Sequence, residues 1–359
     1  MKKRNTIIAK DKEHLLDLIK NEIANYGYKC NLNHIDTSLI TDISCLFFRS
    51  QFDGDISGWN TSNVKNMSYL FYNSLFTGDI SQWDVSNAQD MGHMFENSIF
   101  NTDISKWNTS KNENMKAMFA ESTFNGDISN WNTSNVKDMS YMFYKSKFEG
   151  DISAWNTSKT EYMVWLFCHS IFNGDISKWD TSNVTNMNSM FLFSKFTGDI
   201  SKWNTSKVKD MSNMFSNSVF NGDISQWNTS KVTNLDSIFE HSLFTGDISK
   251  WNTCNVRKMN CSFLKSQFNG DISQWNVEKV NEMTGLLYES AFEQDLSNWR
   301  PFRLIYINRM FYNCRAPTPY WAIIHDTEER KQAIEIYHCR KKLKDNIDVE
   351  YQNKQTLKI

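Results

Sequence analysis

The sequence predicts a repeat solenoid of the α+β class, with one short strand and one short helix per 24-residue coil and a helical cap at each end. Tryptophan recurs at 59, 83, 107, 131, 155, 179, 203, 227, 251, 275 and 299, always 24 residues apart, with no insertion or deletion. A fixed period of this size marks stacked units that contact only their neighbours. Around each tryptophan the chain rewrites one phrase, G-D-I-S-x-W-N-T-S-x-V-x-x-M-x-x-M-F-x-x-S-x-F-x, first complete over 54–77. The flanking segments depart from it, as they must where an open stack would expose a core layer.

The expected organisation is an N-terminal cap over 1–29, a solenoid of one incomplete and eleven complete repeats over 30–316, and a C-terminal cap over 317–359. In the first cap, Leu15, Leu16, Leu18, Ile19 and Ile23 form one side of a helix predicted over 11–26, ended by Gly27. In the incomplete coil Ile35-Asp36-Thr37-Ser38 replaces Trp-Asn-Thr-Ser, and Phe47, Ser50 and Phe52 fall in register.

Within a repeat, Asp55-Ile56-Ser57-Gly58 alternates apolar with small or polar residues, which suits a short strand. Val64, Met67, Leu70 and Phe71 stand at i, i+3, i+6 and i+7, a helical stripe that Thr61 or Ser62 would cap. One unit supplies a single core layer and cannot offset the entropy of ordering itself. Stacking at the parallel-strand spacing of about 4.8 Å gives a rod or arc about 55 Å long, with the equivalents of Ile56, Trp59, Met67 and Phe76 as ladders.

Beyond Trp299 the pattern decays at Arg300-Pro301-Phe302, recovers at Met310-Phe311 and Cys314, and stops at Pro317 and Pro319. A helix over 327–344, starting near Asp326-Thr327 and presenting Ala333, Ile334, Tyr337 and Leu343, is the expected closing cap.

Composition excludes several classes. Lys and Arg number 39 against 41 Asp and Glu, so no global field steers the chain to nucleic acid or anionic lipid. Met1-Lys2-Lys3-Arg4 is basic, but Ile7-Ile8-Ala9 is too short a run for a secretory signal, and no stretch is apolar enough to span a membrane. The seven cysteines are scattered, with no Cys-x-x-Cys pair, so a reducing, cytoplasmic location is expected.

One repeat-length phrase, Met190-Phe191-x-x-Ser194-x-Phe196-x-x-Asp199-Ile200-Ser201-x-Trp203-x-x-Ser206-x-Val208-x-x-Met211, resembles the repeat of the BspA-like leucine-rich-repeat family of bacterial surface proteins. The resemblance covers residues 30–316. It implies a leucine-rich-repeat-like solenoid, a role in protein–protein contact or adhesion, and no catalytic residues. It also implies a cell-surface location as the alternative to the cytoplasm.

The aspartate column Asp55, Asp79, Asp103, Asp127 and onward to Asp295 admits two readings, a calcium ladder or turn capping by backbone N–H groups. Each repeat offers one carboxylate, too few for calcium, so capping is expected and no metal or other cofactor is assigned. Asn60-Thr61-Ser62 and its five identical copies fit a glycosylation acceptor but occupy a required turn. The histidines lack metal-ligand spacing, and no serine or cysteine has a base motif beside it, so the chain is not expected to be an enzyme.

In a repeat protein, function belongs to the columns that break the pattern. The fifth and sixth repeats carry Tyr162, Val164, Trp165, His169, Leu192 and Phe193 where other repeats carry mostly polar residues. On a helix Trp165 and His169 would be i, i+4 neighbours with Phe193 one coil further on, a contiguous hot spot for a protein partner. The leading function is thus a non-enzymatic interaction scaffold, and the alternative is a cell-surface adhesin or structural surface module. A nucleic-acid-directed role rests only on Arg340-Lys341-Lys342 and Lys344; neither nucleic acid nor calcium is an expected partner.

Overall fold

The computed structural model describes residues 5–356, with side chains to residue 349; Met1–Arg4 and residues 357–359 lie outside it. The chain winds through successive 24-residue coils, and the inward set read from the repeat is the observed core. Ile56, Trp59, Val64, Met67, Leu70, Phe71 and Phe76, with their equivalents through the tenth complete repeat, are at most 4% exposed.

The backbone of each coil differs from the expectation. Neither the predicted strand nor the predicted helix forms inside the repeats, where only isolated parallel bridges occur, such as Asn66 with Asp90. The reason lies in where the N–H groups go. In residues 67–74, alternate amides reach the next coil: Met67, Tyr69, Phe71 and Asn73 donate to the carbonyls of Asp90, Gly92, Met94 and Glu96 at 2.8–2.9 Å. The intervening amides of Leu70, Tyr72 and Ser74 close turns on the carbonyls three residues back. A helix would spend all of these donors within the coil and leave the stack unpaired. Consecutive turns place every third or fourth side chain inward, the spacing a helix also gives.

These turns put two residues per coil in the left-handed region, among them Tyr69 (φ 57°) and Asn73 (φ 49°). Across twelve coils all such positions except Gly285 are held by non-glycine residues, a conformation costing about 1–2 kcal/mol each. The amides of the same residues make the inter-coil bonds that offset it.

On the opposite side, around Asp55-Ile56-Ser57-x-Trp59, backbone amides do not cross between complete coils. Side chains do so instead. Each ladder tryptophan donates its indole N–H to a carbonyl of the preceding coil, as Trp179 does to Ile152 at 3.1 Å. Thr61, expected as a helix cap, donates its hydroxyl to the Asp84 carbonyl of the next coil at 3.0 Å. The spacing of equivalent rings explains the division. Pairs outside the core on the bridged side, such as His169 with Phe193, stand 4.3–4.9 Å apart, although Tyr141 and Trp165 stand at 5.6 Å. Core pairs in the Phe71 column stand at 5.6–6.1 Å, and paired tryptophans at 6.2–6.5 Å. The coils fan apart, so the bridged side is the inside of a curve. On the outside, neighbouring backbones exceed the spacing of about 4.8 Å that strand pairing needs. Position 78 is held as glycine, because a Cβ there would stand 2.7 Å from the Phe76 ring.

Both ends are closed. At the N-terminus β1 (Ile7–Ile8), which the sequence did not suggest, pairs in parallel with β2 (Ile35–Asp36). Between them α1 (Lys12–Tyr26) is capped by the Asp11 side chain and ends at Gly27 (φ 79°), burying Leu15 and Ile19. At the C-terminus a 3-10 turn over Tyr320–Ile323 lays Trp321 on Trp299 at 6.3 Å, adding a twelfth rung to the tryptophan ladder. Helix α2 (Thr327–Thr356) follows, with the Asp326 carboxylate accepting from the amides of Glu328 and Glu329. Arg330, 1% exposed, donates to the carbonyl of Leu304 in the last coil and to those of Ile324 and His325 in the cap. Ile334 is buried, and Ala333 and Tyr337 are half-buried. Leu343, expected on the packed face, is 58% exposed, and α2 runs beyond the predicted end.

Two measurements check this register. Trp179→Ala is expected to cost about 3–5 kcal/mol of stability through the cavity it leaves, and Lys178→Ala to stay within about 0.5. His241, exposed at φ 53°, is expected to gain about 0.5–1 kcal/mol on replacement by glycine. Were that segment helical, His241→Gly would lower the melting temperature instead.

Candidate interaction face

Most left-handed residues, with the column of Tyr72, direct their side chains onto the concave side, beside the inter-coil ladder. Three aromatic groups occupy it. The first joins Phe48 to Tyr72 at 4.8 Å and Tyr69 to His93 at 4.3 Å, with the Arg49 guanidinium 5.3 Å from the Phe48 ring. The last is the Tyr288–Tyr312 stack.

The middle group contains the residues singled out from the sequence. Trp165 is half-buried, stacked on Tyr141 at 5.6 Å and edge-on to Tyr144 at 5.6 Å, with its indole N–H donated to Asn188 Oδ1 at 3.0 Å. His169 is exposed, stacked on Phe193 at 4.4 Å and edge-on to Tyr144 at 6.3 Å. Trp165 and His169 therefore meet through Tyr144, because the turn backbone does not bring i and i+4 together as a helix would. Tyr162 (44% exposed) stands in the bridge column beside this group, and Leu192 and Val164 are half-buried.

Tyr141 and Tyr144 escaped the sequence reading. Their signal was present, since they occupy the columns of Trp165 and Cys168 one coil earlier. Two cations complete the group, Lys145 Nζ at 4.9 Å from the Tyr144 ring and Lys116 Nζ at 6.0 Å from that of Tyr141. Such contacts are worth about 0.5–1 kcal/mol at exposed sites.

Burial shifts the titratable groups of this face. Burial pushes the Cys168 thiol up to about 12, which removes it as a nucleophile at neutral pH. Burial and the nearby Lys145 hold the His169 imidazole below its usual range, so it is neutral at pH 7. Burial raises the Tyr141 phenol. What remains is flat apolar area edged by ammonium groups. Arg340, Lys341, Lys342 and Lys344 lie elsewhere, exposed on α2.

The aspartate column has a structural use. In every complete repeat the carboxylate accepts from the amide of the serine two residues on, from Asp55 with Ser57 at 3.0 Å to Asp295 with Ser297 at 2.8 Å. That bond holds Asp103, Asp127, Asp151, Asp175, Asp199, Asp223 and Asp247 below the usual carboxylate range. Neighbouring aspartates oppose it at Asp127 and Asp223. Among the described residues no three His, Cys, Asp or Glu side chains gather as a metal site would require. The Asn-Thr-Ser turn is occupied in the same way, the Asn60 amide oxygen accepting from Ser62 N at 3.1 Å.

These observations define a tandem-repeat protein whose variable surface is its concave face. No helix among the described residues is long and apolar enough to cross a membrane. Residues 19–123, 76–171, 145–247, 216–319 and 241–347 each match the family model described as "Mycoplasma protein of unknown function, DUF285". The chain belongs to that family. No curated protein and no solved structure matches it.

The aspartate geometry sets an expected pH profile. Depressed folded-state values mean that the stabilisation is present above the unfolded aspartate range and is lost as pH falls through the folded values. The melting temperature should be level from about pH 7 to 5 and fall between about pH 4 and 2. A chelator at pH 7 should leave it unchanged; a drop of several degrees, restored by calcium, would show that an ion holds the ladder.

Proposed function

We propose that this protein is a non-enzymatic scaffold of the BspA-like leucine-rich-repeat type, which binds another protein through the concave face of its fourth to sixth repeats. The observation that carries the reading is the middle aromatic group. Tyr162 and Phe193 are 44% and 46% exposed in columns that other coils fill mostly with polar residues, and the core does not use them. Large aromatic side chains beside cations are the residues that dominate protein interfaces. A curved stack of rigid coils presents them without conformational adjustment, which lowers the entropic cost of binding.

Cys168 and His169 have neither the ionisation nor the partners of a catalytic pair, which supports the non-enzymatic part. The seven free cysteines suit a reducing compartment, and we place the protein in the cytoplasm on that ground. The adhesin reading draws on the resemblance of the repeat phrase to surface proteins, and it differs in location and ligand while using the same face.

Affinity capture from native cells, quantified by mass spectrometry, tests the proposal. Phe193→Ala with His169→Ala removes two exposed rings and is expected to leave the melting temperature within about 2 °C. Loss of one interface anchor commonly costs about 2 kcal/mol, roughly thirty-fold in dissociation constant. A partner retained by the parent chain and by Lys231→Ala should therefore disappear with the double variant. Equal recovery by all three chains would sink the assignment. Trp165→Ala is the less clean probe, because its half-buried ring also supports Tyr141 and Tyr144.

A further inference from the structure

The C-terminal cap leaves a polar cleft of about 590 Å³ between α2 and the last two coils. Its solenoid wall is where the repeat phrase is rewritten with charge: Glu278 stands in the serine column of Asn-Thr-Ser, and Arg300 in the asparagine column one coil later. The helix wall supplies His338, Lys341, Lys342 and Asp345. Packing of the cap does not require these side chains, since Ile334, Tyr337 and Trp321 already provide its apolar contact.

Three features set the cleft apart from an ordinary solvated surface. Arg300, Lys341 and Lys342 converge on it, yet among the described residues none is within 4.0 Å of a carboxylate, and of their side chains Lys341 alone has a hydrogen bond, to Asn298 Oδ1 at 2.7 Å. Glu278 and Asp345 line the same space and are equally unpaired. His338 Nε2 is buried with no hydrogen-bond partner, although its ring lies near Arg300 and Lys341, which with burial hold it below the usual imidazole range. The cations are exposed and hydrated, so they are free to take an anion, whereas the orphaned buried nitrogen of His338 is costly unless something completes it.

We propose that this cleft binds a small hydroxyl-rich phosphate monoester, held at its phosphate by Arg300, Lys341 and Lys342 and at its hydroxyls by Glu278, Asp345 and Asn276. A phosphate monoester carries close to two negative charges at pH 7 and three acceptor oxygens, which suits a guanidinium fork beside two ammonium groups. Carboxylates and an amide oxygen are the acceptors that sugar hydroxyls need. Because one wall is solenoid and the other is α2, the ligand would fasten the cap to the last coils and raise the stability of the whole chain.

Calorimetry and thermal melting of the full chain at constant ionic strength test this, with glucose 6-phosphate as probe and glucose and inorganic phosphate as comparisons. Saturable binding with a dissociation constant at or below about 1 mM is expected, with a rise in melting temperature that glucose does not produce. Arg300→Gln and Lys341→Gln should each weaken binding about tenfold or more, while Lys231→Gln, outside the cleft, should not. Glu278→Ala should weaken glucose 6-phosphate more than inorganic phosphate. No saturable binding, or indifference to Arg300→Gln, overturns the proposal. Equal affinity for glucose 6-phosphate and inorganic phosphate would reduce the cleft to an adventitious ion site and overturn it as well.

Discussion

The backbone of each coil is completed only by its neighbour. Four amides per repeat, at Met67, Tyr69, Phe71 and Asn73 and their equivalents, have as their acceptors carbonyls 23 residues further along the chain. This requirement explains why the period is held at 24 throughout: a single insertion would move every donor in that coil out of register with its acceptors. It also explains the left-handed residues. They turn alternate amides outward along the stack, and the intervening ones close local turns, so the segment from Met67 to Ser74 leaves none of its amides unsatisfied.

Curvature follows from the same division of labour. Backbone bonds draw the coils together on one side, whereas indole and hydroxyl donors bridge a wider gap on the other. Aromatic ladders fill the wedge between them. The residues on the concave face stand at the left-handed positions and in the column of Tyr72, and most of their side chains take no part in the core. They can therefore vary from coil to coil without disturbing the stack, and the aromatic group around Trp165, His169 and Phe193 exploits that freedom.

Much of this was readable from residue order alone. The tryptophan period, the inward residues, the first helix and the start of the last one follow from spacing and capping chemistry, and the aspartates behave as the turn-capping argument requires. The helix in each coil was misread for a definite reason. Val64, Met67, Leu70 and Phe71 are spaced as on a helix, and consecutive turns bury the same set. Asparagine at 73, 97, 213, 217 and 313 and glycine at 285 hinted at the turns, but the column of Tyr69 also holds Cys45, His93, Ala117, Trp165 and Arg309, which gave no such signal. The error carried into the site, where Trp165 and His169 were placed in direct contact and Tyr141 and Tyr144 were overlooked. The pairing of Ile7–Ile8 with Ile35–Asp36 had no local signal, since a two-residue strand is specified by its partner rather than by its own sequence.

The ladder between coils can be observed directly by scalar couplings across hydrogen bonds in a deuterated, isotope-labelled chain. In the central repeats the amides of Met187, Ser189, Phe191 and Phe193 should couple to the carbonyls of Asp210, Ser212, Met214 and Ser216. Couplings from those amides to carbonyls four residues earlier in the same coil would mean a helical repeat, and would contradict the account of both the stack and its concave face.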